Sequence, residues 1–229
     1  MNLNFFLITI IFVTLSSCSI PDLNDEDVLR TAKEEAIEIS TLTKEFMYGM
    51  MWLYVDDDNE TYSGWVKDTH PNQNLKSLGY LKNGHKQGLW INWYEDGKLQ
   101  SKKGWNNDFL EGVFKYWHPN GKLKVMGRTK DGEVDGIWQQ FYTNGNKHYE
   151  SVNKVGKLVS KKIWKINGEL CDESKVENGT GTFVLFDENG SRVKTVTFKN
   201  GGNEVSREIE TFTWEKLDYV DKVKAAFSL

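Results

Sequence analysis

The apolar residues of this 229-residue chain are arranged in three different patterns. The first is a run from Phe5 to Leu15 that is interrupted only by Thr9 and Thr14. It is too short to span a membrane as a helix, which takes about 20 residues. A run of about 7–15 apolar residues is typical of the core of a secretory signal peptide. This pattern therefore predicts a targeting signal at the N-terminus.

The residues that end this run, Leu15-Ser16-Ser17-Cys18, resemble the lipobox of bacterial lipoproteins. The resemblance implies that residues 1–17 are a signal peptide, that cleavage occurs before Cys18, and that the Cys18 thiol carries a diacylglyceryl group. The next residue, Ser19, resembles the pattern for sorting to the outer membrane. One acyl chain binds a membrane marginally, whereas two or three anchor a protein stably. A plain secretory signal that ends in a cysteine is the alternative, since no Lys or Arg precedes the run.

The second pattern is a helical stripe that follows a short tether. Its apolar members are Val28, Ala32, Ala36, Ile39, Leu42 and Phe46. Residues 24–27 are Asn-Asp-Glu-Asp, which supply an N-cap and acidic residues for the first turn. We therefore predict a tether and one amphipathic helix within residues 18–46, with the helix over about 25–46. We expect this helix to cover an end of the next domain, and the alternative is a helix that binds a partner.

The third pattern consists of short apolar stretches separated by turn-forming pairs. One set of pairs lies at 72–73, 96–97, 120–121, 144–145, 167–168 and 189–190. A second set lies at 83–84, 107–108, 131–132, 155–156, 178–179 and 200–201. Nine of these twelve pairs are Asn-Gly or Asp-Gly, which is the strongest short-range signal for a type I′ hairpin turn. Ahead of them, the residues up to Val55 predict one buried strand over 47–55, and Asp56–Asn59 its turn.

The spacing of the pairs predicts how the strands are connected. The distance from each first-set pair to the following second-set pair is constant. The distance from a second-set pair to the next first-set pair, here called the return arm, is constant up to position 144 and then shortens twice, at 155–167 and again at 178–189. Short turns of this kind join antiparallel neighbours, so twelve turns predict a meander of thirteen strands. The longer arm predicts a bulge that is lost in the last two units, and a glycine opens this arm in most units. These glycines are Gly64, Gly88, Gly112, Gly136 and Gly181.

Three segments show the repeating unit most clearly: GLWINWYEDGKL at 88–99, GVFKYWHPNGKL at 112–123 and GIWQQFYTNG at 136–145. They resemble the bacterial variant of the MORN repeat, which is found in proteins labelled YwqK-like antitoxins. The resemblance covers about residues 64–204. It implies an all-β, elongated antiparallel β-hairpin array of about six short repeats, without catalytic residues of their own. We accordingly predict a MORN-like β-hairpin repeat domain over residues 47–204.

The C-terminal end predicts a cap for this array. Residues 204–213 alternate in part and predict a last strand. The apolar residues beyond it recur at roughly helical spacing and are Trp214, Leu217, Val220, Val223 and Phe227. We therefore predict a strand and a capping helix within residues 205–229, since repeat arrays need their open edges covered.

Aromatic residues occupy two positions of the unit, seven and four residues before the end of the first-set turn pair. The earlier position holds Trp90, Phe114, Trp138 and Phe183, and the later one holds Trp93, Trp117, Phe141, Trp164 and Phe186. Residues three apart face opposite sides of a flat strand unless a bulge intervenes. The rings either stack on their equivalents as a ladder or form an exposed binding face. The candidate binding residues are Trp90, Trp93, Trp117, Trp138, Phe141 and Trp164.

Composition and charge narrow the possible functions. The net charge of −4 argues against a nucleic-acid binder, which usually carries a basic balance. Two cysteines and four histidines offer little material for a disulfide scaffold or a metal cluster. His70 and His118 share a repeat position with Tyr94 and Tyr142, which indicates a structural slot and not a catalytic base. We therefore expect no catalytic residues, no metal and no cofactor.

These observations lead to one hypothesis and two alternatives. We expect a non-enzymatic lipoprotein of the bacterial envelope, held in the outer membrane through its lipid and facing the periplasm or the surface. Its repeats would form a scaffold or a surface that binds a protein partner. The first alternative is a surface that binds cell-wall glycan through the aromatic residues. The second is an antitoxin-like neutraliser of a toxin partner, as the YwqK-like resemblance implies.

Overall fold

The computed structural model describes residues 20–47, 51–200 and 202–204. It contains one helix, α1 (Glu26–Glu35), and one 3₁₀ turn (Ile39–Thr41) in this part of the chain. The strands are β1 (Ile37–Glu38), β2 (Thr43–Met47), β3 (Met51–Val55), β4 (Gly64–Thr69), β5 (Leu75–Lys82), β6 (His85–Trp93), β7 (Leu99–Asn106), β8 (Phe109–Trp117), β9 (Leu123–Lys130), β10 (Glu133–Val134), β11 (Gly136–Phe141), β12 (Lys147–Lys154), β13 (Lys157–Ile163), β14 (Lys175–Glu177), β15 (Thr180–Phe186), β16 (Arg192–Lys199) and β17 (Gly202–Glu204).

Fifteen of these strands form one sheet. From β4 to β17 neighbours in the sequence are neighbours in the sheet and run antiparallel, with β10 as a short extra partner of β9. The prediction of an all-β hairpin meander is confirmed. The predicted C-terminal capping helix lies outside the described residues.

The helix α1 begins where the sequence predicts and ends earlier. The Asp25 carboxylate accepts hydrogen bonds from the Asp27 and Val28 amides at 2.9 and 3.2 Å, which caps the first turn. Ala36 is already extended, so the prediction of one helix over 25–46 is wrong beyond Glu35. The chain instead forms β1, parallel to β4, then the 3₁₀ turn and β2.

The physical reason is that Ala36, Ile39 and Leu42 are buried or half-buried in extended and 3₁₀ conformations, while Phe46 is 52% exposed. Ile37, Ile39 and Leu42 pack against the buried side chains of Val66 and Trp90. Branching at Cβ also lowers the helix propensity of isoleucine and threonine, which are frequent after Ala36. The apolar spacing that suggested a longer helix thus reflects burial in another conformation.

The single strand predicted over 47–55 is also wrong. The structure has a hairpin in its place, in which β2 and β3 pair antiparallel, for example Thr43 with Val55. The turn predicted after Val55 is present. Asn59 has φ 62°, and the Asp56 carboxylate accepts hydrogen bonds from two backbone amides of this turn.

The two sets of turn pairs have different conformations. In the five second-set pairs that are described in full, both residues have positive φ, as at Asn83 (51°) and Gly84 (77°), which is the type I′ geometry predicted. In the first set only the second residue does, as at Gly121 (83°). Gly121 N donates to His118 O at 2.8 Å, and His118 N donates to Lys122 O at 2.8 Å. This is a three-residue loop, a type I turn followed by a left-handed residue.

The type I′ prediction is therefore wrong for the first set. In two members of the first set a proline directly precedes the pair, at Pro71 and Pro119. Proline is favoured at the second residue of a type I turn. The asparagine of the pair then has ordinary φ, and its side chain accepts from the backbone, as Asn120 Oδ1 does from Lys122 N at 3.0 Å. The sequence signal of the two turns is similar because both end on a left-handed residue.

The bulges predicted for the longer arms are present, but the prediction that both shortened arms lack one is wrong for the arm at 155–167. Leu78 pairs with Ile91 and Tyr80 pairs with Gln87, so β6 has two extra residues opposite Gly79. The shortened arm at 155–167 has one extra residue, between Leu158 and Ser160 of β13. The shortest arm, at 178–189, has none, since β14 and β15 pair without a shift. Gly88, at the first of these bulges, has φ 67°.

Apolar side chains are buried on both sides of the sheet. On one side, here called the helix face, Leu78 and Ile91 pack beneath Ala32 of α1. On the opposite side, here called the hairpin face, Val66, Leu81 and Trp90 are buried beneath the segment from Ile37 to Tyr54. The hairpin face continues along the array with Phe114, Val125 and Trp138, and a further cluster closes its C-terminal end around Ile163, Val176 and Phe183.

Candidate interaction surfaces

The six aromatic residues predicted as a binding surface do not lie on one surface. Trp90 and Trp138 are buried on the hairpin face, with 4% and 9% of their surface exposed. Trp93 is half-buried on the helix face, packed in the cluster beneath α1. Phe141, Trp117 and Trp164 are half-buried as well. Trp117 lines a cavity at the first-set end of the strands, and Lys147 Nζ lies 4.9 Å from the ring centre of Trp164.

Equivalent aromatic rings of successive repeats are separated by one strand, and the side chain of that strand that lies between two rings decides whether they touch. Equivalent aromatics lie two strands apart, which is about 9–10 Å. Phe114 and Trp138 nevertheless approach to 4.8 Å between ring centres, because Gly127 lies between them and carries no side chain. Trp90 likewise lies against Gly79. Between Trp90 and Phe114 the equivalent position holds Lys103, so a lysine separates those two rings.

The repeat position that holds His70, Tyr94, His118 and Tyr142, called the slot, links each repeat to the next. His70 Nε2 and His118 Nε2 each donate to a backbone carbonyl of the following unit at 3.0 Å. Tyr94 Oη and Tyr142 Oη donate to the equivalent carbonyls at 2.7 and 2.9 Å. The imidazole and the phenol thus make the same hydrogen bond. This explains why either residue type satisfies the slot.

The helix face carries an exposed apolar row that the sequence analysis missed. Val113 and Ile137 occupy the repeat position of Leu89, which packs in the cluster beneath α1. Beyond α1 the equivalent side chains are uncovered, with 56% exposed for both, and Val152, which pairs with Ile137, is 37% exposed. We call Val113, Ile137 and Val152 the apolar row. Its signal in the sequence was the aliphatic residue that directly follows Gly88, Gly112 and Gly136 in three successive units.

Positive charge borders the apolar row. Arg128 pairs directly with Val113, and Lys115 lies two residues along the same strand, opposite Lys102. Helix α1, which covers the equivalent position, is acidic in its first turn. Lys102 Nζ donates a hydrogen bond to Asn24 Oδ1, at the start of α1, at 3.0 Å. The face therefore combines apolar side chains with flanking cations.

The hairpin face carries a groove lined by lysines and aromatic rings. Lys86 Nζ lies 4.6 Å from the ring centre of Trp90 and 5.0 Å from that of Trp105. Lys103 Nζ lies 5.5 Å from the same Trp105 ring and 5.7 Å from that of Tyr116. Burial lowers the pKa of Lys103 to about 8, with a further contribution from the charge of Lys86. We call this region the lysine groove.

Metal-ligating side chains are not clustered in the described part of the chain. Residues 20–47, 51–200 and 202–204 contain no cluster of three His, Cys, Asp or Glu side chains placed to hold a metal ion. Cys171 is buried, with 3% exposed, and its sulfur lies 3.3 Å from Ser174 Oγ. The predicted lipidation site, Cys18, lies outside the described residues. In the same ranges no helix is both long and apolar enough to cross a membrane.

Comparison with known families agrees with this architecture. Residues 86–107, 110–131 and 134–152 match the family described as MORN repeat variant. The all-β hairpin array is thus of the MORN type over these three units. The further resemblance to YwqK-like antitoxins stays a prediction.

The curated relatives match this chain over short stretches. The S-adenosylmethionine synthase of Cytophaga hutchinsonii is 54% identical over 43 residues, which is 18% of this chain and 10% of that enzyme. The S-adenosylmethionine synthase of Porphyromonas gingivalis is 32% identical over 76 residues, 33% of this chain and 18% of that enzyme. The chain thus spans less than a fifth of the length of these relatives. These stretches are too short to bear on the activity of this chain.

Among solved structures, a mutant of S. aureus TarM in complex with Fondaparinux, alpha-GlcNAc-glycerol and UDP is similar at a TM-score of 0.24 and 8% identity. The match covers 64% of this chain and 23% of that one. A similarity of this size supports no conclusion about this protein.

Proposed function

We propose that this chain is a non-enzymatic, lipid-anchored protein of the bacterial envelope whose MORN-type repeats bind a partner protein. The apolar row carries this proposal. Large exposed apolar patches rimmed by polar residues mark interaction sites on soluble proteins. Val113 and Ile137 are such residues on a rigid sheet, and α1 shows how a helix packs on their repeat position.

The flanking charges define the partner's chemistry. Lys102, Lys115 and Arg128 border the row. Complementary charges steer association and suppress unsuitable partners. We therefore propose that the occupant is an amphipathic helix of a partner protein, with an apolar stripe and acidic residues beside it, like those in the first turn of α1.

The double substitution of Val113 and Ile137 by serine tests this surface. Both side chains are exposed, so we expect a change in the free energy of unfolding of at most about 0.5 kcal/mol per site. We expect at least a tenfold loss of one envelope protein from crosslinked affinity purifications, measured by quantitative mass spectrometry. Val155→Ser is the matched control, because Val155 is 65% exposed at a hairpin turn away from the row. Equal recovery of every protein with all three forms would contradict the proposal.

The lipid anchor rests on the lipobox resemblance and has its own test. In cells that express the full chain, we expect labelled palmitate to enter the wild-type protein and to be absent from the Cys18→Ala variant. We also expect the variant to move from the membrane fraction to the soluble fraction, since stable binding needs the acyl chains. A variant that stays with the membrane without label would show that another contact holds the protein there.

A further inference from the structure

The lysine groove extends over two adjoining cavities on the hairpin face. The first has a volume of about 230 Å³ and is lined by Lys86, Trp105 and Ser77, among others. The second, of about 310 Å³, is lined by Tyr116 and Lys124 among others. Asn92 and Lys103 line both cavities, so the two form one continuous groove across β4 to β9.

The lining is cationic and rich in hydrogen-bonding side chains. Three lysines face the groove, namely Lys86, Lys103 and Lys124. Of the described residues that line it, Asp68 alone carries a carboxylate, and this lies 2.7 Å from Lys76 Nζ. Amide, hydroxyl and phenol groups also line the groove, together with the side chains of Ile39, Trp90, Trp105 and Trp117.

Two of these ammonium groups lie close together in a partly desolvated place. Lys86 and Lys103 both lie within 5.5 Å of the ring centre of Trp105. Burial is the largest cause of the lowered pKa of both, and the charge of Lys86 adds to the shift at Lys103. At Lys86 the carboxylate of Asp108 acts in the opposite direction, and the charge of Lys44 adds a smaller lowering of the pKa. Desolvation raises the free energy of both charged forms, and a bound anion would lower it.

From these observations we infer that the lysine groove binds an acidic oligosaccharide, with sugar carboxylates at the lysines and sugar hydroxyls at the amide and phenol groups. The position of the groove favours a sugar over an acidic peptide. It lies over β4 to β9, and β5 to β9 are interior strands whose backbone is already paired on both sides, so a peptide cannot add to them as a further strand. The site is distinct from the apolar row, which lies on the opposite face.

Oligogalacturonate of three to five sugars is a suitable probe, and its methyl ester is the neutral control with the same sugar rings. We expect saturable binding of the acid by isothermal titration calorimetry at low salt, with affinity falling as salt rises. We expect the ester to bind at least tenfold more weakly. Equal binding of acid and ester would overturn the assignment of the lysines as carboxylate partners.

Lys103→Met removes the charge and retains an unbranched stem of similar length. We expect it to weaken oligogalacturonate binding at least tenfold, while the melting temperature at pH 7 stays equal or rises. Lys162→Met is the matched control, since Lys162 pairs with Glu150 on the helix face, and we expect unchanged binding. Unchanged binding by Lys103→Met would overturn the site.

Two further probes decide the class of ligand. We expect oligoglutamate of equal charge to bind at least tenfold more weakly than oligogalacturonate, and inorganic phosphate to compete only at high concentration. Tighter binding of oligoglutamate would overturn the assignment to a sugar. These results are independent of the proposed protein partner, because the Val113 and Ile137 double variant should bind oligogalacturonate like the wild type.

Discussion

Replacing Gly79 by alanine should lower the free energy of unfolding by about 2–4 kcal/mol. An added Cβ would overlap the Cδ2 and Cε2 atoms of Trp90, whose indole lies directly on this glycine. Trp90 is only 4% exposed, and its Nε1 donates to Tyr80 O at 3.2 Å, so the ring has little freedom to move aside. Overpacking of a well-packed core costs about 1–3 kcal/mol, and loss of the indole contacts adds to this.

Urea denaturation of the wild type and the variant measures this effect. Gly97→Ala is the control, because its Cβ would meet nothing within 4 Å and only its φ of +82° is unfavourable, at a cost of about 1–2 kcal/mol. In a double-mutant cycle with Trp90→Leu, we expect Gly79→Ala to cost much less in the leucine background. Additive effects would show that the ring does not cause the loss.

Lowering the pH from 7 to 5 should reduce the free energy of unfolding by about 2 kcal/mol through His148 alone. This imidazole is 8% exposed and stacks on Tyr142 at 4.3 Å between ring centres. Burial, and then the charge of Lys161, lower its pKa from 6.5 to about 4, while Glu188 acts in the opposite direction. Below pH 6.5 the His148 imidazole binds a proton in the unfolded chain, whereas in the folded protein it stays neutral down to about pH 4. The free energy of unfolding therefore falls as the pH is lowered through this window.

His148→Phe separates this residue from the other acid-sensitive groups. Phenylalanine keeps a flat ring beside Tyr142, and no hydrogen-bond partner of His148 Nε2 is found within the described residues. We expect the variant to fold at pH 7 and to lose about 2 kcal/mol less than the wild type between pH 7 and 5. The measurement is chemical denaturation at both pH values. An identical loss in the two proteins would exclude His148 as the source.

The hairpin array could be predicted from the sequence because its determinants are local. Positive φ at Asn83 and Gly84 needs only those two residues, and the spacing between turns fixes the length of each arm. The bulges followed for the same reason, since each shortening of the return arm removes one extra residue opposite a neighbour of constant length. Turn type in the first set was mistaken, because a left-handed glycine ends both kinds of loop.

The segment before the array was harder to predict. The spacing of Ala36, Ile39 and Leu42 fits a helix, yet these side chains are buried or half-buried from an extended and 3₁₀ backbone. That outcome depends on β1 pairing with β4 and on contacts with Trp90, which is distant in the sequence. The spacing of apolar residues indicates which side chains face the core, but more than one backbone conformation can bury side chains at that spacing.

The sequence by itself determined the repeat, the positions of its turns, the bulges of its longer arms and the histidine and tyrosine slot, because each of these follows from short segments that recur. Only the tertiary structure decided which positions are covered. Leu89, Val113 and Ile137 are equivalent in sequence, but α1 covers the first and leaves the others exposed. Lys103 is likewise an ordinary lysine in the sequence, and it enters a groove because neighbouring strands bring Trp105, Tyr116 and Lys86 around it. Exposure and local charge depend on long-range contacts, and these contacts produce both candidate binding surfaces.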